Sequence, residues 1–206
     1  MGKIYSMTVY HNKDILDVAE EWVQNNLCAV GYCKVDINGV QPQDVEKTIR
    51  ASTRGVVKKR EINELKIFKK IEFGDVVLAY MNNNHIYAIG TVDGEYRYDE
   101  TNIIGKSKKD GGFGYPHQIP VKWLDSPREF HRKHLPKVIS EQLGKHGKTT
   151  FQIESAYDSD EFIALIEKLQ IPRNEGKFKE ELVKAGLSKY VKINSEHIEK
   201  GLKIMG

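Results

Sequence analysis

Residues 74–124 constrain the fold most, because they form a series of short β-forming runs separated by turns. Gly74-Asp75 is a turn signal, and an apolar run at 76–81 follows it. Residues 82–84 are three asparagines, which tolerate left-handed backbone and predict a tight loop. The run at 85–92 then returns as a partner strand, and two further runs follow at 94–99 and 118–124. Consecutive strands joined by short loops predict an antiparallel, barrel-like sheet and not βαβ units.

Helical patterns flank this region on both sides. Apolar residues recur at helical spacing from Asp14 to Asn26, and Pro42 suits the first turn of a helix that continues to Ala51. Further helices are predicted at 61–70, at 136–143 and from Asp158, where Glu161 stands at the capping-box position. Additional strands are predicted at 3–10, 27–35 and 149–154. We therefore expect an α/β (α+β) fold, with a small antiparallel β-barrel flanked by helices.

Length and composition fit one domain with a small appendage. The 206 residues are enough for one core. No window approaches eighteen apolar residues, and the first residues lack the apolar stretch of a secretory signal. We expect a cytoplasmic protein, in which Cys28 and Cys33 remain reduced thiols. The break at 172–176 divides a domain at 1–171 from residues 172–206, which form a linker and small helical appendage or begin a following domain.

The distribution of charged residues along the sequence indicates an anionic partner more clearly than the net charge does. The net charge of +3 falls short of the balance expected of a protein that coats phosphates without reading sequence. Basic residues nevertheless cluster, whereas acidic residues concentrate at 93–99 and 154–161. Clustered cations suit a surface that grips phosphates. The candidate phosphate contacts are Lys58, Lys59, Arg60, Lys106, Lys108, Lys109, Arg132 and Lys133.

No motif supports catalysis. Gly105-Lys106-Ser107 and Gly147-Lys148-Thr149 end like a phosphate-binding loop, but the glycine needed five positions earlier is replaced by Glu100 and Gln142. His131 and His134 have no third metal ligand at a recognisable spacing. We expect no cofactor, no metal and no enzyme activity in this chain.

Aromatic residues accompany the predicted strands and are interleaved with polar groups. Aromatic walls and hydrogen bonds to a base edge can compensate for the stacking and pairing lost when a base leaves its helix. The alternative for each residue is a core position, because Tyr and Trp are ordinary residues of sheets. The aromatic residues concerned are Trp22, Tyr32, Tyr80, Tyr87, Tyr96, Tyr98, Tyr115 and Trp123.

The order of these segments resembles that of EVE-like domains of the PUA and YTH superfamily. The matching pieces are Ala29-Val-Gly-Tyr32, Phe73-Gly-Asp-Val-Val-Leu-Ala-Tyr80, Ile89-Gly-Thr-Val92 with Tyr96-Arg-Tyr98, and Tyr115-Pro-His-Gln-Ile-Pro-Val-Lys-Trp123. More narrowly, the sequence is similar to the N-terminal DNA-reading modules attached to McrB-type AAA+ motors of modification-dependent restriction systems.

This resemblance implies a non-catalytic module that reads a modified base in DNA by base flipping. The AAA+ motor and a nuclease subunit would lie elsewhere, and this piece alone is expected to be monomeric. A PUA-like RNA-binding domain, an unrecognised enzyme and a protein-interaction domain remain as alternatives. The resemblance implies Tyr32, Tyr80, Asn82 and Trp123 as residues of the base pocket. The pattern of aromatic and polar residues adds Tyr115, His117 and Trp22 as further candidates.

Overall fold

A computed structural model describes residues 2–9, 15–53, 56–81, 84–101, 114–145 and 150–169. The strands in this part of the chain are β1 (Ile4–Thr8), β2 (Leu27–Val30), β3 (Val76–Tyr80), β4 (His85–Val92), β5 (Arg97–Tyr98), β6 (His117–Trp123), β7 (Phe130–His131) and β8 (Thr150–Ile153). The helices are α1 (Ile15–Gln24), α2 (Val45–Thr53), α3 (Lys59–Phe68), α4 (Lys137–Lys145) and α5 (Ser159–Lys168), with a 3₁₀ turn at Arg132–His134.

The strands form one curled, half-barrel sheet. Their order is β2-β6-β4-β3-β1-β8, with β5 paired to β6 and β7 paired to β4. The described pairings are antiparallel except for β1 and β3, which run parallel. The three helices and β2 between them provide the long crossover that a parallel pair needs. The predicted α+β class, with a barrel-like and largely antiparallel sheet flanked by helices, is confirmed, and the sheet forms a half-barrel.

Helices cover both faces of the sheet, so the domain has two apolar cores. Alternate residues of β1 face opposite ways: Tyr5 and Met7 enter a first core, and Ile4 enters a second. The first core packs against α1, α2 and α3, whereas the second packs against α4 and α5. Since both faces are covered, β3 is buried along its whole length. Of the helices described, none is long and apolar enough to cross a membrane.

Several element bounds differ from the sequence prediction. The strand expected at 27–35 ends at Val30, and the chain leaves the sheet at Gly31. The Tyr115 ring lies against Gly31 so closely that a Cβ there would be 2.5 Å from it. The short strand β7 and the 3₁₀ turn were not predicted, whereas the capping box of α5, from Asp158 to Glu161, is confirmed. The appendage or following domain predicted at 172–206 lies outside the described residues.

Candidate functional site

His117 is the centre of a buried polar network on β6. Its Nδ1 lies 2.8 Å from the Tyr96 hydroxyl, and its Nε2 lies 2.7 Å from the backbone carbonyl oxygen of Cys33. Because a carbonyl oxygen can only accept, Nε2 carries the proton, and Nδ1 then accepts from Tyr96. Burial lowers the pKa of His117 to about 4, so the ring is neutral near pH 7. The imidazole thus ties the segment that follows β2 to the segment that leads into β5.

Aromatic rings surround this histidine. The Tyr98 ring meets His117 edge to face with centroids 5.2 Å apart, and the Tyr96 ring is tilted at 6.0 Å. Tyr96 also packs edge to face on Phe68 of α3, at 6.2 Å, and the Lys69 ammonium lies 4.1 Å from its centroid. Both tyrosines are half-buried, and burial raises the pKa of each hydroxyl, so they remain neutral donors. One face of the Tyr96 ring is therefore already in contact with a cation.

Tyr32 joins the same region through α3. Its hydroxyl donates to the carboxylate of Glu64, one helical turn before Phe68, and the Arg60 Nε donates to the other oxygen of that carboxylate at 2.9 Å. The Glu64 side chain is almost fully buried, whereas that of Arg60 is 67% exposed. A buried carboxylate is costly unless it is paired and hydrogen-bonded, and these two donors meet that need. We call His117, the two tyrosines that contact it (Tyr96 and Tyr98) and Tyr32, which reaches α3 beside them, the tyrosine cluster.

Basic side chains lie beside the tyrosine cluster. Lys58 and Lys59 are exposed at the start of α3, directly before Arg60. On the β5 side, the Arg97 Nε donates to the Gln118 side-chain oxygen at 3.2 Å. Of the predicted phosphate contacts, Lys58, Lys59 and Arg60 therefore lie beside the cluster.

Carboxylates lie near the cluster as well. Glu100 accepts from the Tyr98 hydroxyl, and the charges of Asp36 and Glu100 contribute to the raised tyrosine pKa values. The site therefore combines aromatic faces, hydrogen-bond acceptors and donors, and cations at its edge.

The predicted aromatic residues separate into two groups. Tyr32, Tyr115 and His117 are brought together, since Tyr115 packs on Gly31 next to Tyr32. Trp22 and Trp123 lie in the first core, where the Trp123 indole N–H donates to the backbone carbonyl of Trp22 at 3.1 Å. Trp123 stands at the far end of β6 from His117, about 20 Å along the strand. Their arrangement gives both tryptophans a packing role in this structure.

The face of the sheet opposite the tyrosine cluster carries Tyr80 and the basic residues Arg132 and Lys133. Tyr80 is buried in the second core. The Arg132 guanidinium donates to the Asn84 side-chain oxygen at 2.7 Å and to the backbone carbonyl of Ser140, which fastens it to α4. Lys133 is exposed on the same side. Arg132 thus has structural partners, and the phosphate-contact candidates that the structure describes lie on two separate surfaces. Asn82, Lys106, Lys108 and Lys109 lie outside the described residues.

Sequence reasoning left Glu64, Arg97 and the His117 network out of the site. Glu64 carried a usable signal, because it precedes Phe68 by four residues and so falls on the inward stripe of α3. The described ranges contain no group of three His, Cys, Asp or Glu side chains that could hold a metal ion. Cys28 and Cys33 are free thiols, the first buried and the second half-buried.

The fold and the site together define an α+β domain with a curled, helix-flanked sheet and a tyrosine cluster beside α3. The chain belongs to the family described as a domain of unknown function, DUF8426, whose sequence profile matches residues 5–142. No curated protein matched the sequence.

Solved structures similar to this chain are YTH domains. The YTH domain of Zygosaccharomyces rouxii MRB1, in complex with N6-methyladenosine RNA, is 11% identical with a TM-score of 0.45, over 82% of this chain and 89% of that chain. The Pho92 YTH domain in complex with m6A is 11% identical with a TM-score of 0.44, over 83% and 87% of the two chains. The mmi1 YTH domain in complex with RNA is 9% identical with a TM-score of 0.42, over 82% and 81%.

Proposed function

We propose that this chain is a non-catalytic nucleic-acid-binding module that reads a modified base at the tyrosine cluster. The observation that carries the proposal is the His117 network, in which one buried, neutral imidazole fixes two tyrosine-bearing segments beside a buried carboxylate and a basic helix start. A site fixed in this way loses little conformational entropy when a ligand enters.

The side chains present supply the chemistry that base capture needs. A base lifted from its stack costs a few kcal/mol, and stacking on an aromatic ring returns about 1–3 kcal/mol per base. The half-buried Tyr98 hydroxyl donates to Glu100 and can still accept a hydrogen bond from a base edge, and contacts of this kind distinguish one base from another. Lys58, Lys59 and Arg60 would hold phosphates without reading sequence.

DNA is the polymer that we propose, in the setting of a McrB-type restriction system. The order of the sequence segments quoted above, which resembles that of such DNA-reading modules, supports this assignment. The module would act in the cytoplasm as the targeting domain, and the AAA+ motor and the nuclease would be supplied elsewhere.

A titration series tests the proposal. Fluorescently labelled DNA of one sequence, unmodified or carrying N6-methyladenine or 5-methylcytosine, is compared with the matching RNA at two salt concentrations. We expect one modified DNA to bind at least about tenfold more tightly than its unmodified control, which corresponds to about 1.4 kcal/mol. Equal, weak and steeply salt-dependent binding to every oligonucleotide would leave only phosphate attraction and refute base reading. Preference for the RNA would instead identify an RNA-binding domain.

Matched variants locate the site. Tyr96→Ala removes one wall of the cluster and should abolish the preference for the modified base. Phe73→Ala is the control, because Phe73 is an exposed aromatic residue in the turn before β3 and belongs neither to the cluster nor to its hydrogen-bond network. Equal losses in the two variants would place the contact elsewhere.

A further inference from the structure

We propose that the surface around Tyr157 is the docking site for the C-terminal segment of this same chain, residues 172–206. Tyr157 lies in the turn between β8 and α5, and its side chain is 40% exposed. Three adjoining grooves meet at this residue, with volumes of about 510, 450 and 560 Å³. The first groove runs beside β1 and β8, the second reaches α4, and the third follows α5. The proposal does not depend on the tyrosine cluster, which lies on the other side of the sheet.

The second groove is lined mainly by apolar side chains. Val138 on α4 is 60% exposed and stands with Tyr157 and Ala156 around this groove. The described residues have only four large exposed hydrophobic side chains, and two of the four are Val138 and Tyr157. Grouped apolar side chains at a surface mark a contact site more often than scattered ones do.

The path of the chain after α5 indicates which segment binds in these grooves. Leu165 and Lys168, in the last turns of α5, line the third groove. Leu169 follows α5, and only residues 170 and 171 separate it in the sequence from the proposed segment, so the segment is tethered close to the third groove. A tether of this kind raises the effective concentration of a segment to the order of millimolar, so that weak contacts are sufficient to hold it.

Charge favours the same occupant. The first groove is lined by Glu154, Asp158 and Glu161 against one cation, Lys3. Residues 172–206 contain eight Lys and Arg against five Glu, and they also supply apolar side chains such as Leu182 and Leu187. A second copy of the domain, docked through the same surface, would instead bring like charges together. The segment therefore matches the grooves in both charge and apolar character.

Zero-length crosslinking of the full chain tests the placement. A carbodiimide joins carboxylates to lysines in contact, and mixed ¹⁴N and ¹⁵N chains separate links within a chain from links between chains. We expect links from Glu154 and Glu161 to lysines of residues 172–206 within single chains. Links that are mainly between chains would assign the surface to a second copy and overturn the proposal, as would the absence of links from these carboxylates to the segment.

Hydrogen exchange supplies an independent readout. In the full chain, the double substitution Val138→Ser and Tyr157→Ser should make amides of residues 172–206 exchange about tenfold faster, because the apolar contacts are gone. Val56→Ser is the control, since Val56 is 83% exposed, lies between α2 and α3 and lines none of the three grooves. Equal exchange of the segment in the wild type and the double variant would contradict the proposal.

Discussion

Replacement of His117 by glutamine should flatten the pH dependence of the stability of this domain. Burial holds the folded pKa of His117 at about 4, whereas an unfolded histidine titrates near about 6.5. Above about 6.5 the ring is neutral in both states and contributes no pH dependence. As the pH falls below that value, the unfolded chain binds a proton that the folded chain does not bind until about 4. The folded state therefore loses stability across the window from about 6.5 to about 4.

The size of the effect follows from the width of that window. Each pH unit within it changes the free energy of unfolding by about 1.4 kcal/mol, so the loss between pH ~6.5 and pH ~5 is about 2 kcal/mol. Glutamine can keep both hydrogen bonds of His117 without a titrating group, because its amide N–H₂ can donate to the Cys33 carbonyl and its oxygen can accept from Tyr96. The other histidines and the carboxylates titrate in both proteins, and their contributions cancel in the comparison.

Urea unfolding measured at pH values from about 7.5 down to about 5 gives the free energies needed. The wild type should be the more stable protein near neutral pH, because glutamine fits the two partners less well than the imidazole does. The difference between wild type and His117→Gln should then shrink by about 2 kcal/mol as the pH falls to about 5. Parallel curves at all pH values would show that His117 is not buried and neutral, and the account of the network would fail.

Three further substitutions probe the scaffold. Trp123→Ala should lower the free energy of unfolding by about 3–5 kcal/mol, as expected for a large aromatic residue of a core, and chemical denaturation would show a smaller loss if Trp123 lay on the surface. Asp158→Ala should cost about 1 kcal/mol by removing the capping box of α5, and an unchanged unfolding midpoint would argue against that cap. Gly31→Ala should displace the Tyr115 ring; a change in tyrosine fluorescence or in the aromatic NMR spectrum would report it, and unaltered spectra would mean that the two residues are not in contact.

The sheet and the helices were predictable because their signals are local. Apolar periodicity located β3, β4 and α3 within a few residues, and the capping box located the start of α5. The extent of β2 was not predictable, because the chain leaves the sheet where Tyr115 packs on Gly31, and that contact joins residues 84 positions apart.

The site was only partly predictable, because its contacts join residues that are distant in the sequence. Tyr32, Tyr115 and His117 were expected to be neighbours, and the structure brings them together. The partners of His117 are Cys33 and Tyr96, which lie 84 and 21 positions away, so the network depends on strand register and not on a local pattern. Trp22 and Trp123 illustrate the converse: an aromatic residue beside a strand carries the same local signal whether it faces a ligand or a core.

The central claim is that the tyrosine cluster reads a base. Its most direct test is the affinity ratio between a modified and an unmodified DNA of the same sequence, measured at one salt concentration for the wild type and for Tyr32→Leu. Leucine keeps an apolar side chain at this position but removes the ring and the hydroxyl that contacts Glu64. We predict a ratio of at least about ten for the wild type, or about 1.4 kcal/mol, and a ratio near one for the variant. The same ratio in both proteins would contradict the account.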